Sequence, residues 1–209
     1  MRKPLVVLLL AAGGPAYPDW FSFGVKGGVP LTTAFRTATS QDLRYLSSTK
    51  RYTVGPVVEV RSPFWLGAEI NALYKRLRYD STQTGGANPM ATATTANSWE
   101  FPLLLKVRSP GRMVRSYFSA GPSFRHLSGL RQSVTSLFTG RVGEALRPSE
   151  LENRFASGFA VAGGLEIGEG LRVAPEIRYT RWGWENFRAP AGAFRTNLNQ
   201  LDFLLGIHF

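Results

Sequence analysis

Leu201-Asp202-Phe203-Leu204-Leu205-Gly206-Ile207-His208-Phe209 closes the chain, and every second residue of it, Leu201, Phe203, Leu205, Ile207 and Phe209, is large and apolar. The positions between are Asp202, Leu204, Gly206 and His208, a mixed and partly polar set. A strict period of two over nine residues predicts a β-strand with one side against an apolar medium.

The same alternation recurs upstream. Phe21, Phe23, Val25 and Val29 alternate with Ser22, Gly24, Lys26 and Gly28, and Val54, Val58 and Val60 alternate with Thr53, Val57 and Glu59. Further strands are predicted at 66–75, 99–108, 114–125, 158–167 and 171–180, so the terminal strand is the eighth. Short connections near Ser62 to Phe64, Ser109 to Met113 and Gly168 to Gly170 alternate with long ones at 36–50, 80–97, 127–155 and 183–197. That pattern fits an all-β, eight-stranded antiparallel transmembrane barrel with short periplasmic turns and long extracellular loops. Short helices are expected at 41–46 and from Pro148 to Glu152, where the spacing is that of a capping box.

Periodicity does not say which side faces out, because a water-soluble barrel alternates with the opposite sense. Charge placement does. The apolar sides carry no Lys, Arg, Asp or Glu until Arg76 and Arg181, next to the long loops. A Lys or Arg at the bilayer midplane costs about 2–4 kcal/mol and little at the interface. The apolar side therefore faces lipid, with Trp65, Tyr74, Tyr79, Trp99, Tyr179, Trp182 and Trp184 expected in the interfacial girdles.

The inward positions hold six acids and eight bases. An eight-stranded interior is just filled by side chains, and charges there persist only when paired. The expected site is thus a lumen ion-pair network in which Glu59, Glu69, Glu100, Glu166 and Glu176 face Lys106, Arg172 and Arg178. Pro56, Pro102, Pro122 and Pro175 fall inside predicted strands and call for bulges or local breaks, since Pro has no ladder donor.

At the other end, Arg2 and Lys3 precede the apolar run Leu5 to Ala12, followed by Gly14 and Ala16. This predicts a signal peptide over 1–16 and a barrel domain over 17–209. There is no cysteine, and with two histidines, His126 and His208, neither metal nor cofactor is expected. A mean hydropathy of −0.10 excludes a bundle of membrane helices.

The segments Gly24 to Gly28, Trp99 to Lys106, Ala120 to Ser123 and Leu204 to Phe209 resemble the outer-membrane protein β-barrel domain family, small barrels like OmpA and OmpX in architecture. The run ending on Phe209 is similar to the C-terminal signal that the barrel-assembly machinery reads during insertion. The resemblance implies residence in the cell outer membrane and is silent about activity.

The formal charge of +11 falls by two to +9 without Arg2 and Lys3, and the excess sits at strand ends and in the long connections. Such a rim lies level with lipopolysaccharide phosphates, which Arg binds bidentately. An exported, lipid-facing chain is not expected to bind nucleic acid. The expected function is a monomeric, non-enzymatic outer-membrane barrel with a charge-filled lumen and basic loops that meet outer-membrane lipids and lipopolysaccharide. Two alternatives stand beside it. One is a narrow pore for small solutes. The other is a lipid A deacylase, because His126-Leu127-Ser128 resembles the His-x-Ser of small outer-membrane deacylases; Glu144, Glu150 and Glu152 would compete for the third place.

Overall fold

The computed structural model describes residues 20–37, 43–62, 65–85, 89–145, 147–189 and 194–209. The expected signal peptide lies outside them. The strands are β1 (Phe21–Pro30), β2 (Phe35–Thr37), β3 (Leu43–Ser47), β4 (Thr53–Arg61), β5 (Leu66–Asn71), β6 (Leu73–Gln83), β7 (Met90–Arg108), β8 (Val114–Ser136), β9 (Val142–Ala145), β10 (Phe155–Ile167), β11 (Arg172–Trp182), β12 (Phe194–Thr196) and β13 (Asn199–His208). Among the described residues there is no helix.

With β5 and β6 counted as one interrupted strand, the ring runs β1, β4, β5/β6, β7, β8, β10, β11, β13 and back to β1, all antiparallel. The terminal strand closes it. Ile207 pairs with Val25 and Val173, and the Phe209 N–H donates to the Phe23 carbonyl at 2.8 Å while the two rings stack at 5.8 Å.

The sidedness agrees with the charge argument. Leu105 is 63% exposed and Ile177 55%, whereas Glu100 and Glu176 are 4% and 1% exposed. A soluble protein does not display so continuous an apolar belt. Trp20 and Trp65 stand exposed at the inner edge, and Tyr74 and Trp99 meet at 5.1 Å at the outer edge. Two residues expected in the girdles are corrected: Tyr79 and Trp182 are each 1% exposed, because both lie on the inward parity of their strands.

Each in-strand proline interrupts the ladder on one flank only. Pro56 pairs with Val25, but toward the next strand the pairing skips from Val57 with Asn71 to Val54 with Tyr74. Pro102 pairs with Ser123 and flanks the same gap from the other side, between Ile70 with Leu103 and Leu73 with Glu100. The break dividing β5 from β6 at Ala72 thus lies between two prolines. Pro122 and Pro175 pair with Phe159 and Leu205 and skip toward β7 and β10. Register is kept across every gap, so a missing donor breaks hydrogen bonds without inserting a residue. A true bulge occurs instead where Thr95 pairs with Arg131 and Asn97 with Ser128, and Gly129 there takes φ +57.

The long connections are folded. β7 and β8 run for 19 and 23 residues, about twice what a bilayer needs, so their outer halves project beyond it. There β3 pairs with β6, β9 with β8, and β12 with β2. Together they bury Phe35, Tyr45, Leu77, Tyr79, Leu127, Leu130, Leu151, Phe187 and Phe194 in an outer cap, with Phe194 against Tyr79 at 4.4 Å and Tyr45 at 4.7 Å. The two expected helices are corrected. Leu43–Ser47 is a strand that completes the free edge of β6, while Gln41 and Asp42 lie outside the described residues. Ser149 and Glu150 form a turn, Leu151 bridges to Phe187, and the Glu150 carboxylate accepts from Tyr45 and Tyr79 instead of capping a helix.

Candidate functional site

Alternation sends one parity of every strand to a shared interior, where barrel shear brings residues distant in sequence level with one another. Two charged layers result. In the lower, Lys106 Nζ lies 2.9 Å from Glu59, 3.2 Å from Glu69 and 2.6 Å from Glu166, and 3.9 Å over the Tyr117 ring. Lys26 bridges Glu69 at 2.6 Å and Glu176 at 2.8 Å. Arg178 reaches Glu176 at 2.6 Å and Glu69 at 3.4 Å. Arg108 holds Glu59 and Glu166, and Arg61 closes on Glu59 from the inner rim. Four carboxylates thus meet four buried cations in this layer, Lys26, Lys106, Arg108 and Arg178, with Arg61 added from the rim. Gly164 makes room for Tyr117: a Cβ there would stand 2.7 Å from the phenol oxygen, which donates to Glu176 at 2.8 Å.

The upper layer is smaller. Lys75 lies 2.9 Å from Glu100, and Arg125 donates to Glu100 and stacks over Trp182 at 3.9 Å. Gln200 donates to Glu100 at 3.0 Å and to Asp202 at 2.5 Å, and its carbonyl accepts from Arg125 and Trp182. Two carboxylates face two cations. Above them a crevice between Thr33, Thr49, Arg51 and Asn197 leads down from the outer surface to Lys75 and Arg125.

Of the eight residues singled out from sequence, Glu59, Glu69, Lys106, Glu166, Glu176 and Arg178 meet in the lower layer and Glu100 lies in the upper one. Arg172 does not join them: it sits at the inner end of the lumen, donates to Ser22 at 2.9 Å, and has no ion pair among the described residues. Lys26, Lys75, Arg108 and Arg125 take the places sequence reasoning left unassigned. All four stand on the inward parity, so the signal was present, but parity does not give height along the barrel.

The outer surface is strongly cationic. Arg36, Arg44, Lys50, Arg51, Arg76, Arg78, Arg131, Arg141, Arg147, Arg154, Arg181, Arg188 and Arg195 are all exposed. Against them stand few acids: Glu144 and Glu152 are exposed, and Asp80 and Glu185 are partly so. His126 is exposed and Ser128 partly so, both on the outward side of β8, where His126 pairs with Trp99 and Phe155. Among the described residues no hydrogen bond joins His126 to a carboxylate. Glu150 is buried in the cap with Tyr45, Tyr79 and Gln132, and Glu144 pairs across to Ser133.

The sequence profile of a family described as outer membrane protein beta-barrel domain matches residues 18–184. No curated protein matches the chain. Among solved structures, similarity extends to Neisserial surface protein A (NspA), with 12% identity and a TM-score of 0.45 over 91% of this chain and 96% of that one. The Yersinia pestis attachment invasion locus protein Ail, solved with the heparin analogue sucrose octasulfate, gives 10% identity and a TM-score of 0.35 over 90% and 99%. The N-terminal beta-barrel domain of Pseudomonas aeruginosa OprF gives 12% and 0.31 over 90% and 97%.

Proposed function

We propose a function from one premise: this chain belongs to the outer membrane protein beta-barrel domain family. It is an integral protein of the cell outer membrane. Within that frame it acts as a monomeric, non-enzymatic barrel with a sealed lumen, holding a folded basic cap at the cell surface where its cations engage lipopolysaccharide phosphates. The barrel-assembly machinery would read the terminal strand, which becomes the seam strand beside β1.

The observation that carries this reading is the division of charge. Every carboxylate of the lower layer, and Glu100 of the upper, is paired with buried cations inside, while cations without acid partners among the described residues crowd the outer rim. Buried charges arranged this way fill a narrow lumen, and exposed arginines are the residues suited to phosphate.

A second reading, a narrow path for small solutes, has one observation in its favour: the outer crevice reaches Lys75 and Arg125 of the upper layer. One preparation separates the two. Protein refolded into planar bilayers is expected to give no resolved channel steps, and steady conductance would replace the sealed barrel with the pore. In vesicles, the protein is expected to retain lipopolysaccharide and to lose it when the lipid phosphates are removed enzymatically. Equal retention of dephosphorylated lipid would refute phosphate recognition.

A further inference from the structure

The basic rim is not uniform. On the wall formed by β6, β7 and β8, the outward residues fall into rows as the strands leave the membrane. The lowest row is Tyr74, Trp99 and His126; the next is Arg76, Asn97 and Ser128; the third is Arg78, Thr95 and Arg131. An aromatic row therefore gives way to two rows in which arginines flank short polar side chains.

Beside this wall, the segment after β3 supplies Lys50. It is tied down where the Thr49 hydroxyl donates to the Arg78 carbonyl at 3.0 Å and accepts from the Arg78 N–H at 3.1 Å. Ser48, Lys50, Tyr52, Arg76, Arg78 and Thr95 line one concavity on the outer surface.

Its cations are uncommitted. Among the described residues Lys50, Arg76 and Arg131 have no acid partner, and Arg78 has only Asp80 at 3.5 Å, an acid that also accepts from Ser48 at 2.6 Å. Arg181, the other arginine directly above the belt, is by contrast held by Asn199 at 2.5 Å. The wall is on the same side of the same strands as the lipid-facing belt, so a lipid headgroup seated on it can run its chains straight down the belt into the outer leaflet.

We infer that this wall is a defined seat for one phosphorylated glycolipid headgroup of the outer leaflet, the lipid A part of lipopolysaccharide. Acyl chains lie along the belt below Tyr74 and Trp99, the sugar meets the aromatic row, and phosphate oxygens are held by Arg76, Arg78 and Arg131 with Lys50 at the side. Thr95, which lines the concavity with Arg76 and Arg78, and Asn97 are short, so no bulky side chain stands between these arginines and Arg131 along the rows. The inference rests on the proposed lipopolysaccharide reading and narrows it from a diffuse rim to one place.

The test compares two charge-matched variants of the full barrel, R76A/R78A/R131A on the wall and R141A/R147A/R195A elsewhere on the outer surface. Both are refolded in vesicles containing lipid A, with an unboiled-gel mobility shift confirming a closed barrel. Native mass spectrometry then counts lipid A retained after extraction into detergent, with dephosphorylated lipid A and phosphatidylglycerol as parallel arms. The wall variant is expected to lose retained lipid A about tenfold and the other less than about twofold, with wild type retaining little of either parallel lipid. Equal losses in both variants would overturn the seat while leaving the diffuse rim standing. Retention of phosphatidylglycerol equal to that of lipid A would overturn glycolipid recognition, and no retention by wild type would overturn the wider reading as well.

Discussion

Lys106→Met asks whether the lumen is a dry plug whose charges must balance. Lys106 is fully buried and touches three carboxylates, and their losses are unequal. Glu69 keeps Lys26 and Arg178, and Glu59 keeps Arg108 and Arg61. Glu166 keeps only Arg108, which it shares with Glu59. The variant leaves four carboxylates against three cations within the layer, Arg61 reaching Glu59 only from the rim, and breaking one side of a buried pair costs about 3–5 kcal/mol. Because two of the three acids retain other partners, the expected loss lies near 3 kcal/mol, part of it the cation–π contact with Tyr117. Removing the stranded charge as well, in K106M/E166Q, restores equal numbers and is expected to regain about half of the loss. Urea titrations of protein folded in vesicles, followed by tryptophan fluorescence in both directions, measure both values. A loss under about 1 kcal/mol would mean that water screens the layer as it does surface pairs. A double variant no better than the single one would mean that charge balance is not what holds it. Either result would refute the sealed lumen.

The cap and the bulge give two more expectations. Burial, then the charge of Glu150 and a hydrogen bond to it, push the Tyr45 phenol up to about 12. A raised folded pKa stabilises the cap fully below the free phenol value near 10 and loses that contribution as pH rises through 12. Phenolate absorbance should therefore show Tyr45 titrating late, and Glu150→Gln should bring it earlier; an unchanged titration would refute the contact. Gly129→Ala places a Cβ at φ +57 and 2.6 Å from Asn97 Nδ2, while Gly143→Ala meets nothing within 4 Å. The first should cost about 1–2 kcal/mol and the second under about 0.5 in the same urea titration; equal effects would remove the bulge as a requirement.

Eight strands, their direction in the membrane and the lipid-facing side were legible because each rests on a local pattern: period two in 201–209 and its counterparts, and charges kept off one parity. The cap was not legible. Phe35, Tyr45, Phe187 and Phe194 stand singly in segments without period, and only the closed ring puts Phe35 against Phe187 and Phe194, and Tyr45 against Phe194, at 4.7–5.8 Å. The outer half of β7, Met90 to Asn97, is mostly alanine and threonine and offers no apolar alternation to follow. Tyr79 and Trp182, by contrast, could have been placed by parity alone.

The lumen shows where parity stops and shear begins. Glu59 and Glu69 are direct cross-strand partners on one interior face, a like-charge pair that any two-strand reading would reject. The pair persists because β7 delivers Lys106 between them and Arg108 beside them. Arg108 comes close only where Gly67 has no side chain: a Cβ there would lie 2.8 Å from its Nη1. Lys26 and Glu176 meet across 150 positions of sequence for the same reason, that stagger around a closed ring decides which heights coincide. Beside the local pairs Arg61 with Glu59 and Arg178 with Glu176, the long-range partners of the interior charges are therefore fixed only when the ring is closed, and a glycine opposite a charge can matter as much as the opposite charge.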